Sequence, residues 1–327
     1  IRSFLGARTV STFGNRRLQT LKLPADISIA QAIEQLKNQS VVASVQPNYI
    51  YRLQSQNLSG LAKKKKGPSV PTYKPNDSGF KNQWGPSKIG APQAWTVIKG
   101  SSGPNAVAVL DTGINYNHED LIGNMWRNPN EVAGNGFDDD GNGYIDDLHG
   151  INTLVATGAG ASNPMDGNGH GTHVAGIIGA VGDNKKGIAG LNFQVKLIAV
   201  KVLSDVTEEG GTSETIAKGL QYVSALKEDG INVRVANHSY GGALPAGAAV
   251  DPIIKAEFDK FATLGIVSSI AAGNDGTNND TTHDFPSNYD SEGIISVAAS
   301  DSSDKRAGFS NYGATTVDIA APGKSIY

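Results

Sequence analysis

Val107-Ala108-Val109-Leu110-Asp111-Thr112-Gly113 is the stretch on which the fold of this chain turns. Apolar residues run on without alternation, as they do in a strand buried on both faces, and the run stops at an acid followed by a glycine turn. Outward from it, similar runs recur at Val195–Val202, Val233–Ala236, Ile266–Ala272 and Ile294–Ala298, with helical patterns at 171–182, 213–228 and 252–264 between them. Strands alternating with helices predict an α/β fold, a mostly parallel central sheet with helices on both faces. Functional groups of such sheets gather at the carboxyl ends of strands, where Asp111 stands. A strand-terminal Asp is also a common turn former or helix cap.

Before this unit the pattern differs. Arg16 to Leu23 alternates like a strand, and Ile29, Ala32, Ile33 and Leu36 fall on one face of a helix. Val41 to Leu53 is β-rich but interrupted by Pro47-Asn48. Residues 54–79, with Lys63–Lys66 and three prolines, lack periodicity and read as a linker. The 327 residues suit about two domains. With 39% hydrophobic and 18% charged residues the composition excludes a wholly disordered chain, and no apolar run approaches the ~20 residues of a membrane helix. The absence of cysteine excludes disulfides, thiolate metal sites and a cysteine nucleophile. The net charge of −3 hides an asymmetry: residues 1–100 hold 15 Lys/Arg against 3 Asp/Glu, residues 101–327 hold 13 against 28. Halves of opposite sign attract one another, or the basic half binds a polyanion.

Three further strings carry chemistry. Asp166-Gly167-Asn168-Gly169-His170-Gly171-Thr172-His173-Val174-Ala175-Gly176 puts a His at a glycine-flanked helix start, from which its ring reaches out of the fold. The two His are three residues apart with no Glu between them, unlike the helical zinc pair with its four-residue spacing. A capping His beside a buried one is the plainer alternative. Ile270-Ala271-Ala272-Gly273-Asn274-Asp275-Gly276 ends a β-run in an Asn, either an amide donor for a developing oxyanion or an ordinary turn residue. Between Glu131 and Asp147, the residues Asp138, Asp140 and Asn142 alternate ahead of Gly143, as in the first half of a Ca²⁺ loop. Carboxylates so crowded repel unless a cation joins them. His149 stands where an EF-hand has its last Glu, so Asp146 or Asp147 has to close the loop. Glu131, Asp138, Asp140, Asn142, Tyr144, Asp146 and Asp147 are the candidate ligands.

Asp111, His170 and Asn274, in this order and in these strings, closely resemble the subtilisin-like serine proteases (subtilases) from about Asn76 onward. Asn237-His238-Ser239-Tyr240-Gly241-Gly242 and Ala320-Ala321-Pro322-Gly323 extend the resemblance. It implies a serine endopeptidase in which His170 is general base and then acid, Asp111 fixes its tautomer, and Asn274 donates to the oxyanion. Ser239, Tyr240 and Gly241 would pair with the substrate backbone, Gly210 and Gly211 would form the facing edge, and Ala271, Ala272 and Gly273 would line the pocket for the residue before the scissile bond. The family's nucleophile stands in a Gly-Thr-Ser-x-Ala string after Ala-x-Pro-Gly, and the chain is expected to end before it. Gly211-Thr212-Ser213 is a misleading match: Ser213, followed by Glu214 and preceding Asn274, reads as a helix N-cap. His238 beside Ser239 is another, since strand neighbours point to opposite faces.

The resemblance also implies at least two structural Ca²⁺ ions, one held by Asp77, Asp120, the Asn184 side chain and the carbonyls of Val181, Lys186 and Ile188. Residues 1–57 resemble a subtilase propeptide, a small αβ sandwich acting as chaperone and inhibitor, with 58–79 as linker and 80–327 as catalytic domain. The expectation is a secreted, calcium-dependent endopeptidase in proform, acting on protein and peptide substrates, completed by a C-terminal continuation carrying the serine, without nucleic-acid or membrane partners. A catalytically inactive subtilase-fold binding protein is the alternative.

Overall fold

The structure, a computed structural model, describes residues 5–13, 18–53, 71–101, 103–207, 209–243 and 250–327. Near the N-terminus, β1 (Arg8–Phe13) and β2 (Leu18–Lys22) form an antiparallel hairpin. Helix α1 (Ile29–Lys37) opens with a capping box in which the Ser28 side chain accepts from the Gln31 N–H and Gln31 accepts from the Ser28 N–H. Leu5, Ala7, Ala32 and Leu36 are buried together, with Leu21, Leu23, Ile27, Val42 and Val45 packed on them. The expected apolar face is narrower than its pattern: Ile29 is 56% exposed, because the i, i+4 pair Ala32 and Leu36 alone centres on the small cluster. The β-rich stretch yields one strand, β3 (Ile50–Leu53), and residues 41–49 form no strand where Pro47 interrupts them. Residues 54–70, with the Lys63–Lys66 run, lie outside the described residues. The last part of the expected linker is anchored: the Tyr73 N–H donates to Pro92 O at 2.7 Å, its ring meets Phe193, and Asp77 is buried.

Seven strands build the main sheet: β4 (Ala106–Asp111), β5 (Gly150–Asn152), β6 (Lys196–Lys201), β8 (Val233–His238), β10 (Val267–Ala271), β12 (Ile294–Ser300) and β13 (Ile319–Pro322). Their order is β13-β12-β10-β8-β4-β6-β5, and every neighbouring pair is parallel. Helix α2 (Trp84–Lys88) and α3 (Ala91–Ala94) precede it; α4 (His170–Gly179), α5 (Ser213–Glu228) and α6 (Pro252–Thr263) cover it. Side chains of β4 alternate between the two faces. Ala106, Ala108 and Leu110 join the cluster under α5 and α6, while Val109 joins Ala175 of α4, Leu197 and Ala199 on the other face. Each buried branched side chain contributes about 1.5–3 kcal/mol, so the layers are held from both sides.

Strand β4 is interior, with β6 and β5 on one flank and β8, β10, β12 and β13 on the other. The direction of winding reverses at this point, and a crevice opens at the carboxyl ends of the strands. A second sheet, β11-β9-β3-β7, joins β7 (Gly211–Thr212), β9 (Tyr240–Ala243) and β11 (Asp284–Phe285) to β3.

Candidate active site

Asp111 is the last residue of β4 and His170 the first of α4. The His170 Nδ1 to Asp111 Oδ1 distance is 2.7 Å, with the Asp111 side chain wholly buried and that of His170 13% exposed. The Thr112 N–H also donates to Asp111 Oδ1, at 2.7 Å. This approach depends on glycine. A Cβ on Gly171 would clash with Gly113 O and stand 3.1 Å from Asp111 Oδ1. Gly113 has φ +103°, and a Cβ there would run into Pro164 O. Asp166 holds the helix start from below, accepting from Gly169 N–H at 2.9 Å, Thr172 N–H at 2.9 Å, Thr172 Oγ1 at 2.6 Å and Thr112 Oγ1 at 2.9 Å. Burial pushes the Asp166 pKa up, but the bonds from Thr172, Gly169 and Thr112 outweigh it and the net direction is down. Lys201, opposite Asp111 in the β4–β6 register and buried, donates to Thr112 O and pairs with Asp205. His173, three residues on, stays on the exposed side of α4, and partial desolvation and then His170 lower its pKa.

Asn274 follows β10, half-buried, just past the left-handed Gly273 at φ +113°. The turn is pinned by Asn311, whose Oδ1 accepts from Asp275 N–H at 2.9 Å and Thr277 N–H at 3.1 Å while its own N–H donates to Gly273 O at 3.0 Å. The Asn279 side chain donates to Ala272 O at 2.7 Å. Ala271 ends β10, and Ala272 and Gly273 are buried behind it.

The expected cleft edges are occupied. Strand β3 lies between β7 and β9, antiparallel to both: Tyr51 opposes Gly211, Arg52 opposes Gly241 and Leu53 opposes Tyr240. Gly210 lies so close to Tyr51 O that a Cβ would clash. Ser239 is half-buried, accepting from Asn237 Nδ2 at 2.9 Å. His238 is fully buried, bonded through Nδ1 to Tyr240 Oη at 2.9 Å, and burial drives its pKa down to about 3. It serves the core. Ser213 is not the N-cap of α5: Thr212 takes that place in a capping box with Thr215. Ser213 is instead the first helical residue, donating to Asp251 Oδ2 at 2.7 Å and accepting the Tyr49 N–H at 3.0 Å.

A buried strand-end acid bonded to a helix-start histidine, with an asparagine after the next-but-one strand, is the arrangement of one protease family, and its sequence profile matches residues 104–327. The chain belongs to the subtilase family. It is 36% identical over 256 residues to thermitase of Thermoactinomyces vulgaris, covering 78% of this chain and 75% of thermitase. It is 31% identical over 300 residues to a thermophilic serine proteinase of Bacillus sp. (strain AK1), covering 91% of this chain and 59%, under two thirds, of that relative. Fervidolysin from Fervidobacterium pennivorans shares the fold, with a TM-score of 0.69 at 23% identity, covering 98% of this chain and 44% of fervidolysin. Subtilases are serine endopeptidases. Among the described residues of this one, no helix is long and apolar enough to cross a membrane.

The subtilase's acidic loop partly converges. Oxygens of Glu131, Asp140 and Asp147 lie within 4.8 Å of one another. Asp147 is held by Tyr222 Oη at 2.5 Å, Asn128 Nδ2 at 2.9 Å and Asn142 Nδ2 at 3.0 Å, yet burial pushes its pKa up to about 7. An all-oxygen acidic set without a neutralising cation fits Ca²⁺. Asp138 accepts from Asn142 N–H and Gly143 N–H, and Asp146 turns to Gly134 N–H and Gly136 N–H. Neither belongs to the converging trio. The Asn142 Oδ1 accepts from Tyr144 N–H. In the second expected site, buried Asp77 accepts from Asp183 N–H and Asn184 N–H, and buried Asp120 accepts from Asn184 Nδ2 at 2.6 Å and Ile188 N–H at 2.9 Å. The Val181 N–H donates to Asp120 O and the Lys186 N–H to Asn184 Oδ1. Asp120 is thus met by N–H donors, the Asn184 amide presenting its nitrogen and Ile188 its N–H, where the expected Ca²⁺ set has the Asn184 oxygen and backbone carbonyls.

Sequence reading assigned no role to Asp166, Lys201, Asn311 or Asp284. For Asp166 the signal was available: an Asp three residues before Gly169 at a helix start is an Asx cap pattern. Asn311 is 37 positions from Asn274, and no local pattern links them.

Proposed function

We propose that this subtilase is the proform of a secreted, calcium-dependent serine endopeptidase, with residues 1–57 as its inhibitory propeptide. The observation carrying this reading is β3 in the middle of the cleft, its Arg52 and Leu53 on Gly241 and Tyr240, and its Ile50 and Tyr51 on Thr212 and Gly211. A peptide added as a strand between two edges is bound through its main chain, as a substrate or a self-inhibitor is. Beyond β3, the N-terminal unit reaches α5: Ser11 Oγ and Thr20 Oγ1 donate to Glu214, and the Glu214 N–H donates to Asn48 Oδ1 at 3.0 Å. The basic N-terminal region and the acidic remainder favour the same docking.

In the reaction, His170 takes the proton of the family's nucleophilic serine and returns it to the leaving amine. Asp111 keeps the His170 Nδ1 protonated and its Nε2 facing the cleft. Asn274 donates to the oxyanion, a contact known in subtilisin to be worth roughly 100- to 1000-fold in kcat. Bound Ca²⁺ would neutralise Glu131, Asp140 and Asp147 on one side, and Asp77 and Asp120 on the other, without touching substrate.

The test is fluorophosphonate labelling of the full encoded protein over time. Labelling should be slow at first and rise as residues 1–57 are cut away, and Arg52→Pro, which removes a ladder N–H, should advance it. Fast labelling from the outset would remove the inhibitory role. No labelling at any stage would leave the inactive binding protein as the better reading.

A further inference from the structure

We infer that Asp284 is the floor of the pocket for the side chain preceding the scissile bond, and that this subtilase cuts after lysine or arginine. The inference rests on 239–241 and 271–273 being the substrate walls. Asp284 sits between these walls. It opens β11, which pairs antiparallel with β9, Asp284 opposite Ala243 and Phe285 opposite Gly242. On the other side, Asp284 Oδ2 is 3.0 Å from the position that a Cβ on Gly273 would take. Gly241, Gly242 and Gly273 carry no side chains, so a long substrate side chain can pass between them toward the carboxylate.

The chemistry of the floor is unfinished. Asp284 is 2% exposed, and among the described residues neither carboxylate oxygen has a hydrogen-bond partner of normal geometry. The Gly242 N–H eases its charge, but burial, and then the negative charge of Asp275, push the pKa up to about 7. Among the described residues no Lys or Arg pairs with it. A buried carboxylate without a cation is costly, and the cost is removed by a group bringing positive charge and N–H donors. A metal ion needs several acidic ligands, and among the described residues the group of acids close enough is Glu131, Asp140 and Asp147, a different site. A mobile organic cation needs one acid at the end of a slot. Apolar side chains leave the carboxylate unpaired, and acidic ones meet Asp284 and Asp275 with like charge.

Peptides that differ only in the residue before the cleaved bond (Lys, Arg, Phe, Leu or Glu) test this on the full encoded protein. Lys and Arg should exceed Phe and Leu by roughly 100-fold in kcat/KM, because a site built for a polar partner rejects groups that leave it unpaired. Asp284→Asn should remove most of that preference, chiefly through KM, and Asp284→Glu should retain part of it. Benzamidine should inhibit the parent competitively and the Asn variant poorly. Fluorophosphonate labelling of each variant reports an intact centre. A parent that favours Phe or Leu, or a Lys-to-Phe ratio unmoved in Asp284→Asn, overturns the inference while leaving the protease reading intact. A parent that cuts none of the peptides sinks both.

Discussion

Asp111 and Asp284 are both buried carboxylates at strand ends beside one cleft, and they are furnished in opposite ways. Asp111 spends Oδ1 on His170 and on the Thr112 N–H, and glycine at 113 and 171 lets that helix start close upon it. Among the described residues Asp284 has no side-chain partner, only the Gly242 N–H easing its charge, and the negative charge of Asp275 opposes it. A carboxylate held through one oxygen, as Asp111 is through Oδ1 while its Oδ2 stays unpartnered among the described residues, orients another side chain. One left unpaired under burial stores a cost that a ligand can relieve.

The largest expected effect comes from neutralising the first of the pair. Asp111→Asn in the full encoded protein should lower kcat by about 10⁴, the drop known when this partner is neutralised in a serine protease triad, with the fold unchanged by circular dichroism. If Asp284→Asn lowers kcat as far for every substrate, the contrast between the two acids is wrong.

Asp284→Asn should act on stability instead. Its folded pKa of about 7 lies above the ordinary 3.8, so the native state holds a proton that the unfolded state has released. Stability is then undiminished by this group below about pH 4, falls as pH rises from about 4 to 7, and stays lower above that. The Asn variant should gain on the parent across that window by on the order of 3–4 kcal/mol, the worth of about three pKa units. Urea melts at pH 4.5 and 8 measure it, and an equal difference at both would refute an unpaired carboxylate.

A third group of acids supplies an intermediate case, crowded but open to a metal ion. Removal of Ca²⁺ with a chelator should lower the Tm, by about 2.7 kcal/mol of stability if the ion is present at 100 times its Kd. Combined Glu131→Gln and Asp140→Asn should abolish much of the response. Full retention would place the ion elsewhere.

The smallest effect concerns the support beneath His170. Asp166→Ala removes the acceptor for Gly169 and Thr172 N–H and should cost about 1–2 kcal/mol, as loss of a helix cap does. Thermal melts give the size. A neutral result would mean that Gly171 packing alone fixes the helix start.

Much of this was written locally. The apolar run before Asp111, the glycine-flanked His170 and the Gly273-Asn274 turn were legible because a buried strand and a close helix demand particular residues within a few positions. The same locality marked the helix at 213–228, whose bounds agree with α5. What the sequence could not decide was partnership across distance. That β3 leaves the N-terminal unit to lie between Gly211 and Gly241 depends on strand pairing, which any extended backbone can offer. That Ile29 is exposed while Ala32 and Leu36 are buried depends on the width of the cluster opposite them. Asp284 shows the limit most clearly: in sequence it is an acid after His283, indistinguishable from a surface residue. Only folding puts it behind Gly273 and against β9 with its oxygens unpaired, because burial and pairing are properties of the assembled walls and not of the residue itself.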